Sequence, residues 1–351
     1  MIETQDLINT LHNLAQKISG RINIMEVCGT HTVVIHKSGL KNLLPVNINV
    51  VSGPGCPVCV TDRSFIDKAI TYLREGYHIF TFGDMLKVPG SFSSLEKERG
   101  FGVHIVYSPL ESLKFAWDNP RERVLFLGIG FETTSPLIAS LAKEAYQKGI
   151  DNLFILSSCK LIPPALRVIL EDENSPIQGF ILPGHVSAVI GCKVYREVLS
   201  KYGSCGVVCG FEPNDVLESL VLLMEMLIKG EKQVLNQYRR VVKEQGNIYA
   251  QNMIGEVFEK TKAFWRGLGW IEESGLKLNS LYRRFDIEEI HPLDIPPQED
   301  KGPCRCAEVI KGKLTPLDCP LFAKECNPSQ PWGPCMVSSE GTCQAYYKYG
   351  R

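Results

Sequence analysis

Short apolar runs, many of them β-branched, recur along residues 22–208 of this chain, and each leads through a Gly, Pro, Ser or Thr turn into a helical pattern. Strands that alternate with helices in this way favour parallel sheets joined by right-handed crossovers. The runs are residues 22–27, 48–51, 78–82, 103–106, 124–127, 153–156, 179–182 and 206–208. The sequence therefore predicts an α/β fold.

The spacing of the runs predicts two related parallel-sheet α/β domains. We place the first at residues 21–118 and the second at 119–232. Residues 1–20 and 233–351 are expected to form a third, smaller domain that is helical and ends in a Cys-rich tail. The tail has too few aliphatic residues to fold by packing alone, so a metal cluster would supply the missing stability.

Charge and hydropathy exclude several classes of partner. Lys and Arg number 38 and Asp and Glu 39, a net charge of −1, which leaves no basic face for nucleic acid or an anionic membrane. No apolar run approaches the roughly 20 residues of a membrane span. The N-terminus lacks the basic start and apolar core of a secretion signal. We therefore expect a cytoplasmic protein.

Cysteine is unusually abundant, with 13 residues. Thiols stay reduced in the cytoplasm, so this number predicts metal binding or redox chemistry rather than a disulfide framework. Cys159, Cys192, Cys205 and Cys209 are isolated or lie at strand ends, and we expect them to be structural.

Two motifs place cysteines where a strand passes into a helix. In MEVCGTHT, Cys28 precedes a helix whose dipole would stabilise a thiolate, and His31 follows three residues later. In SGPGCPVCVT, Cys56 and Cys59 form a C-x-x-C pair at a helix start, which suits a disulfide or a dithiol. The structural alternatives are a small buried Cys28 with a capping His31, and half of a zinc site at the C-x-x-C.

Ligand sites in open α/β sheets lie beyond the carboxyl ends of the strands. If the strands are parallel, the thiols of Cys28, Cys56 and Cys59 converge on one cleft. Three thiols in one cleft would bind a soft metal such as iron(II). We therefore predict these residues as metal ligands and as catalytic residues.

A third motif, GFETT, occupies the corresponding turn of the second half. Glu132 would point into the cleft between the domains, and Thr133 or Thr134 would cap the next helix. The alternative is a capping turn and nothing more. His185 and Asp84 are candidates for proton handling, against a structural role for each.

The tail contains six of the cysteines. Four thiolates in a compact Gly- and Pro-rich segment are the usual ligand set of an iron–sulfur cluster, with zinc as the alternative. Cys306 could replace the first ligand, and Cys335 is a further candidate. The predicted ligands are Cys304, Cys319, Cys326 and Cys343.

Taken together and in this order, MEVCGTHT, GPGCPVCVT, GFETT, PGHVSAVIG and CMVSSEGTC resemble the HypD family of hydrogenase maturation factors. The resemblance implies a monomer with a four-iron, four-sulfur cluster in its last domain. It implies a complex with HypC and then HypE, on which an iron ion acquires two cyanides and one carbon monoxide. HypE would present cyanide as a thiocyanate on its own C-terminal cysteine.

By position, the resemblance implies that Cys28 holds this iron together with the N-terminal cysteine of HypC. Cys56 and Cys59 would be the redox pair, and His31 would lie beside the iron. The chain departs from the family pattern at Thr30 and Thr32, where glycine and histidine are common, which affects only groups around the iron site.

The resemblance favours a redox-active assembly scaffold over a conventional turnover enzyme. A rival hypothesis is a stand-alone thiol–disulfide oxidoreductase supplied with electrons by the cluster, and another is a structural zinc protein. A disulfide reductase does not need a third cleft thiol such as Cys28.

Overall fold

The computed structural model describes residues 3–173, 175–298 and 302–350. Residues 1, 2, 299–301 and 351 of the predicted third domain lie outside the described residues, as does residue 174 of the second. All the predicted strands are present. The strands are β1 Ile22–Glu26, β2 Ile48–Ser52, β3 Tyr77–Thr81, β4 Val103–Ile105, β5 Arg123–Gly130, β6 Leu153–Lys160, β7 Ile177–Pro183, β8 Cys205–Cys209, β9 Val234–Asn236, β10 Phe258–Trp265 and β11 Gly269–Leu278.

The α-helices alternate with these strands over most of the chain. They are α1 Thr4–Ala15, α2 Gly29–Lys37, α3 Pro57–Val60, α4 Arg63–Arg74, α5 Leu110–Asp118, α6 Ser135–Gln147, α7 Ile162–Glu171, α8 Gly184–Ile190, α9 Lys193–Lys201, α10 Pro213–Lys229, α11 Ile248–Val257, α12 Ile287–Ile290, α13 Cys306–Ile310 and α14 Thr342–Tyr349. Short 3-10 helices cover Leu40–Leu43, Gly83–Met85, Arg99–Phe101, Arg283–Phe285, Pro316–Asp318 and Pro334–Met336. Among the described residues, no helix is long and apolar enough to cross a membrane.

The strands form two sheets. The first has the order β2-β1-β7-β8-β9 and is parallel throughout. The second has the order β10-β11-β6-β5-β3-β4, in which β4, β3, β5 and β6 are parallel and the hairpin β10–β11 adds an antiparallel edge. The prediction of an α/β fold with parallel sheets is confirmed.

Sheet membership does not follow the two predicted halves. Strands β1 and β2 pair with β7 and β8, whereas β3 and β4 pair with β5 and β6, so each sheet draws on residues before and after position 118. The grouping into two consecutive sets of four strands is therefore wrong. Apolar runs identify strands, but strand neighbours are decided by long-range packing that periodicity does not contain. The domain boundaries themselves stay a prediction.

The predicted third domain also differs from expectation, because it is not purely helical. Strand β9 completes the first sheet and the hairpin β10–β11 completes the second. The N-terminal helix α1 buries Leu7, Leu11 and Ala15 and packs against α10. The tail folds back onto α2 and α3, where the first two motifs lie.

Candidate functional site

The first motif sits where β1 ends, and Cys28 is the residue that precedes α2. Its backbone N–H donates to the carboxyl of Glu26 at 3.0 Å, and the hydroxyl of Thr32 donates to the same carboxyl. Burial raises the pKa of the Cys28 thiol to about 12, and the nearby carboxylates of Glu340 and Glu26 add to this rise. Cys28 is therefore a protonated thiol in the absence of a cation.

The second motif lies directly against the first, since β1 and β2 are neighbours. Gly29 donates its N–H to the carbonyl of Gly55 at 3.1 Å. A Cβ atom on Gly55 would overlap the backbone nitrogen of Cys28, so only glycine lets the two loops approach this closely. The structure thus brings the loop before Cys56 into contact with Cys28, as the parallel-sheet argument predicts.

Cys56 and Cys59 form a disulfide across the short helix α3, with their Cα atoms 5.2 Å apart. The N–H of Cys59 also donates to Cys56 Sγ at 3.1 Å. In this state both sulfur atoms are bonded to each other and are not thiolates, so iron binding by Cys28, Cys56 and Cys59 together stays a prediction for the reduced form.

His31 and His185 lie on either side of one aromatic ring. Phe211 stacks on His185 with ring centroids 3.8 Å apart and on His31 with centroids 4.8 Å apart. His31 Nε2 also lies 2.9 Å from the carbonyl of Gly210. Burial lowers the pKa of His31 to about 4, so its imidazole is neutral near pH 7. The two predicted histidines are thereby joined through a residue that the sequence analysis did not select.

Glu132 follows β5, in the sheet that does not contain Cys28. Its Oε1 accepts from the N–H of Ile162 at 3.0 Å, whereas its Oε2 has no hydrogen-bond partner among the described residues. Burial raises the pKa of Glu132 to about 7. Thr133 is exposed, and Thr134 occupies the position before α6 without a side-chain capping bond.

Glu132 also lines a mainly apolar cavity of about 510 Å³ between helices α7, α9 and α11. Tyr195 is fully buried in this region. Burial raises the pKa of Tyr195, and the charges of Glu132 and Cys28 add to the rise, so the phenol lies near both groups. Tyr195, on α9, therefore interacts electrostatically with both the GFETT turn and the first motif.

The C-terminal tail contacts the first motif. The carboxylate of Glu340 accepts from the hydroxyl of Thr30 at 2.7 Å, and a Cβ atom on Gly29 would overlap the Glu340 carbonyl. Asp84 accepts from the hydroxyl of Ser339 at 3.0 Å, which ties the TFGD turn to the same tail segment. Asp84 thus holds the tail in place rather than facing an open cleft.

The six tail cysteines lie close together in the fold. Cys306 Sγ lies 2.8 Å from Cys335 Sγ. The pKa of Cys335 is raised well above its ordinary range. The largest causes are its hydrogen bonds with Cys306 and Cys343, and burial adds to them. Burial raises the pKa of Cys326, and the thiols of Cys343 and Cys319 add to it. These shifts show that the tail thiols are mutual neighbours.

Two backbone features also fit an inorganic core among these thiols. The N–H of Trp332 donates to Cys326 Sγ at 3.5 Å. A Cβ atom on Gly333 would lie 3.0 Å from Cys304 Sγ, so a glycine keeps this space clear of a side chain. Throughout the described ranges, no group of three or more His, Cys, Asp or Glu side chains is arranged to hold a single metal ion. A cluster holds its thiolates farther apart than one ion does, because the core stands between them.

The tail thiols also lie next to the disulfide. The 3-10 helix Pro334–Met336, which contains Cys335, packs on α3, and α13, which begins at Cys306, packs on α3 as well. Cys56, Cys59, Cys306 and Cys335 all belong to one buried cluster. The remaining cysteines, expected to be structural, are also buried, and one of them, Cys192, belongs to the same cluster: Cys159, Cys192, Cys205 and Cys209.

Sequence reasoning missed three residues at this site, namely Glu26, Phe211 and Glu340. Glu26 and Glu340 each lie inside a motif that was recognised, but a carboxylate beside a thiol has no spacing signal that sets it apart from a surface charge. Phe211 belongs to the turn GFEP, whose first three letters repeat those of GFETT. That repeat was the one available signal for Phe211.

Comparison with known proteins gives a consistent result. Residues 3–350 match the family model HypD, described as the hydrogenase formation hypA family. The chain is 45% identical over 333 residues to the hydrogenase maturation factor HypD of Escherichia coli, covering 93% of this chain and 89% of that protein. It is 43% identical over 348 residues to a putative hydrogenase expression/formation protein of Methanocaldococcus jannaschii, covering 98% and 96%. The HypD of Cupriavidus necator is 41% identical, over 94% and 90% of the two chains.

Proposed function

Because the chain belongs to the HypD family of hydrogenase maturation factors, we propose that it is the scaffold on which the Fe(CN)2CO group of nickel–iron hydrogenase is assembled with HypC and HypE. The observation that carries this proposal is the packing of three elements on one another. These are the Cys28 loop, the Cys56–Cys59 disulfide and the Cys-rich tail. The protein acts as a redox-active assembly site rather than a conventional turnover enzyme.

Cys28 is the residue that holds the iron ion, which is the cargo of the reaction. Its thiol is buried and protonated, so binding of the cation is coupled to loss of the thiol proton. Glu26 and Glu340 both interact with Cys28, and burial raises the pKa of both carboxyls, that of Glu26 to about 8. A cation at Cys28 would favour their ionised forms, which would then compensate its charge. His31 is neutral and buried beside Phe211, which suits a group that shapes the site without adding charge. The second sulfur ligand comes from the N-terminal cysteine of HypC.

The pair Cys56 and Cys59 supplies electrons in units of two. Reduction of their disulfide takes up two electrons and two protons and yields two thiols. A thiocyanate on HypE is then split by this dithiol: the S–C bond breaks, the HypE thiol and hydrogen cyanide form, and the disulfide of Cys56 and Cys59 returns. Electrons and protons balance, and the next round needs the disulfide to be reduced again.

The donor set of the tail fits a four-iron, four-sulfur cluster. The ligands are those predicted from the sequence, Cys304, Cys319, Cys326 and Cys343, and Cys306 and Cys335 are close enough to replace one of them. When bound, the cluster supplies single electrons at a site next to the disulfide. The Trp332 N–H would donate to a ligand sulfur, and Gly333 leaves room beside Cys304.

The compartment and the assembly state follow from the same chemistry. A chain with 13 cysteines works where thiols stay reduced, so the proposed location is the cytoplasm. The chain alone is proposed to be a monomer that binds HypC near Cys28.

The test is anaerobic co-purification with HypC followed by infrared spectroscopy in the cyanide and carbonyl stretching region. Wild type should show these bands, and Cys28→Ala should retain at most about a tenth of the iron. Cys159→Ala is the matched control, because it removes a buried thiol from β6, in the second sheet. This variant should keep both the iron and the infrared bands. A wild-type complex without the bands would contradict the proposal.

The same variant separates the scaffold from a stand-alone oxidoreductase. An oxidoreductase would keep full dithiol turnover in Cys28→Ala and would bind HypC normally. The packing of Gly55 on Cys28 favours the scaffold, since an oxidoreductase has no use for a third thiol against its disulfide loop.

A further inference from the structure

The mainly apolar cavity beside Glu132 lies where elements of the two sheets meet. It has a volume of about 510 Å³, and its walls are helices α7, α9 and α11 and the hairpin β10–β11. Helix α9 lies between β7 and β8 of the first sheet in the chain, whereas β10 and β11 belong to the second sheet. Mainly apolar clefts of this size, placed between packed units, are typical sites for small ligands.

One buried carboxyl group in the cavity wall has an oxygen atom without a partner. Glu132 is 2% exposed, and the N–H of Ile162 donates to its Oε1 at 3.0 Å. Its Oε2 has no hydrogen-bond partner within the part of the chain that the structure describes. A buried acceptor without a partner is unfavourable, and a bound molecule with a donor group would remove that cost. Glu132 is therefore the polar anchor that the cavity offers to a ligand.

The charged side chains of the cavity wall include both signs. Arg167 and Lys260 are cations, and Glu132 and Glu273 carry carboxyl groups, so neither sign is in excess among the lining residues. The ammonium group of Lys260 also interacts electrostatically with Glu132. A charged ligand would lose its hydration in this mainly apolar cavity without meeting a surplus of opposite charge. The wall therefore favours an uncharged molecule.

The hairpin holds one lining residue in an uncommon backbone conformation. Glu273 has a φ of 53°, in the left-handed region that residues other than glycine rarely adopt. It lies between Ile271, which pairs with Ala263, and Gly275, which pairs with Thr261, where the register of the hairpin shifts. Such irregularities re-aim side chains and are frequent next to functional sites. This one places Glu273 in the cavity wall.

From these features we infer that the cavity binds an uncharged small molecule that carries a carboxamide group on an apolar body. A carboxamide offers N–H donors to Oε2 of Glu132 and a carbonyl acceptor to the ammonium group of Lys260. Its apolar body would cover the side chains of Val194, Val198 and Leu276 in the cavity wall. The site goes beyond the proposed function, since it uses no residue assigned there to the iron, the disulfide or the cluster.

The test uses benzamide as the probe and the full-length protein near pH 8, where Glu132 is mostly ionised because its pKa is about 7. N,N-Dimethylbenzamide is the matched probe without N–H donors, and benzoate is the matched probe with a negative charge. Methyl NMR of isoleucine-labelled protein locates the binding site, since Ile190 and Ile254 line the cavity whereas Ile22 and Ile48 lie in β1 and β2. Titration of the methyl signals gives the dissociation constant of each probe.

Benzamide should shift the methyl signals of Ile190 and Ile254 and leave those of Ile22 and Ile48 in place. N,N-Dimethylbenzamide and benzoate should each bind about tenfold more weakly or less, because neither donates a hydrogen bond to Glu132. Equal affinity for benzamide and N,N-dimethylbenzamide would overturn the inference. Tighter binding of benzoate, or benzamide shifts that leave Ile190 and Ile254 unchanged, would overturn it as well.

Two variants test the site from the side of the protein. Glu132→Gln should weaken benzamide binding by about tenfold, because the Ile162 N–H holds the amide oxygen and leaves an NH2 group in place of Oε2. Its control is Glu173→Gln, at an exposed side chain. Val198→Phe should also weaken binding, since the larger side chain fills part of the cavity. The control for this change is Val221→Phe, at a half-buried valine of α10.

Both control variants should bind benzamide like wild type, and unchanged binding by both site variants would contradict the inference. Should Glu132→Gln fail to fold, Val198→Phe and the three probes still decide the outcome. The result is separate from that of the proposed function, because the binding measurement needs neither iron nor HypC.

Discussion

The carboxylate of Glu340 accepts a hydrogen bond from the hydroxyl of Thr30 at 2.7 Å. Thr30 lies two residues after Cys28, and Glu340 lies between the tail cysteines Cys335 and Cys343. The tail is therefore attached to the loop that carries the first motif. This contact makes the charge of the tail part of the electrostatic environment of Cys28.

The first prediction concerns the acidity of Cys28. Removing the charge in Glu340→Gln should lower the pKa of the Cys28 thiol from about 12, because the carboxylate of Glu340 adds to the effect of burial. Each unit by which this pKa falls would raise the fraction of thiolate near pH 8 by about tenfold. The rate of alkylation would rise by the same factor. Mass spectrometry of the Cys28 peptide after iodoacetamide treatment measures this rate. Glu325→Gln, an exposed tail carboxylate, is the control, and equal rates in both variants would refute the coupling.

The second prediction concerns the contact between the first two motifs. Gly55→Ala should destabilise the protein by about 1–3 kcal/mol, because the added Cβ overlaps the backbone of Cys28 and forces the loops apart. The midpoint temperature of thermal unfolding and the amount of iron retained should both decrease. Gly255→Ala, where a Cβ meets open space, should leave both unchanged or raise the stability slightly. A Gly55→Ala protein as stable as wild type would show that the two loops are not in tight contact.

The third prediction concerns the pH dependence of stability at Glu132. Its pKa in the folded chain is about 7, above the 4.5 of a free carboxyl, so folding favours the protonated form. This stabilisation is complete below about pH 4.5 and is lost as the pH rises through about 7, by at most about 3 kcal/mol. Glu132→Gln keeps an acceptor for the Ile162 N–H and should remove this component.

Urea unfolding at several pH values measures the difference between wild type and Glu132→Gln. The matched control is Glu173→Gln, because the side chain of Glu173 is exposed. The stability of this variant should equal that of wild type at every pH. Parallel curves for wild type and Glu132→Gln would mean that Glu132 is ionised at no cost in the folded protein.

The fourth prediction concerns the stack of Phe211 with His31 and His185. Burial lowers the pKa of His185, and Phe211→Ala should let water reach the ring and raise that pKa toward 6.5. The free energy of unfolding should fall by about 1–3 kcal/mol. Titration of the histidine ring by NMR measures the pKa. Phe92→Ala, at an almost fully exposed ring, should change neither quantity.

Much of the architecture was predictable because local pattern carries it. The strands at residues 22–27 and 48–51 are present as β1 and β2, and the loops after them meet because parallel neighbours end at one edge. The strands β10 and β11 escaped prediction, because charged residues such as Lys260 and Glu272 interrupt their apolar alternation.

The sequence by itself determined the strand-and-helix alternation, the position of Cys28 before a helix and the C-x-x-C pair at the next one. These follow from apolar period and turn chemistry, which act over a few residues. The tertiary structure alone decided that β1 pairs with β7, that Phe211 stands between two histidines and that Glu340 reaches Thr30. Such contacts join residues that are far apart in the chain. Their energy comes from burial and charge in the folded molecule, and a local sequence pattern does not encode which distant residues will meet.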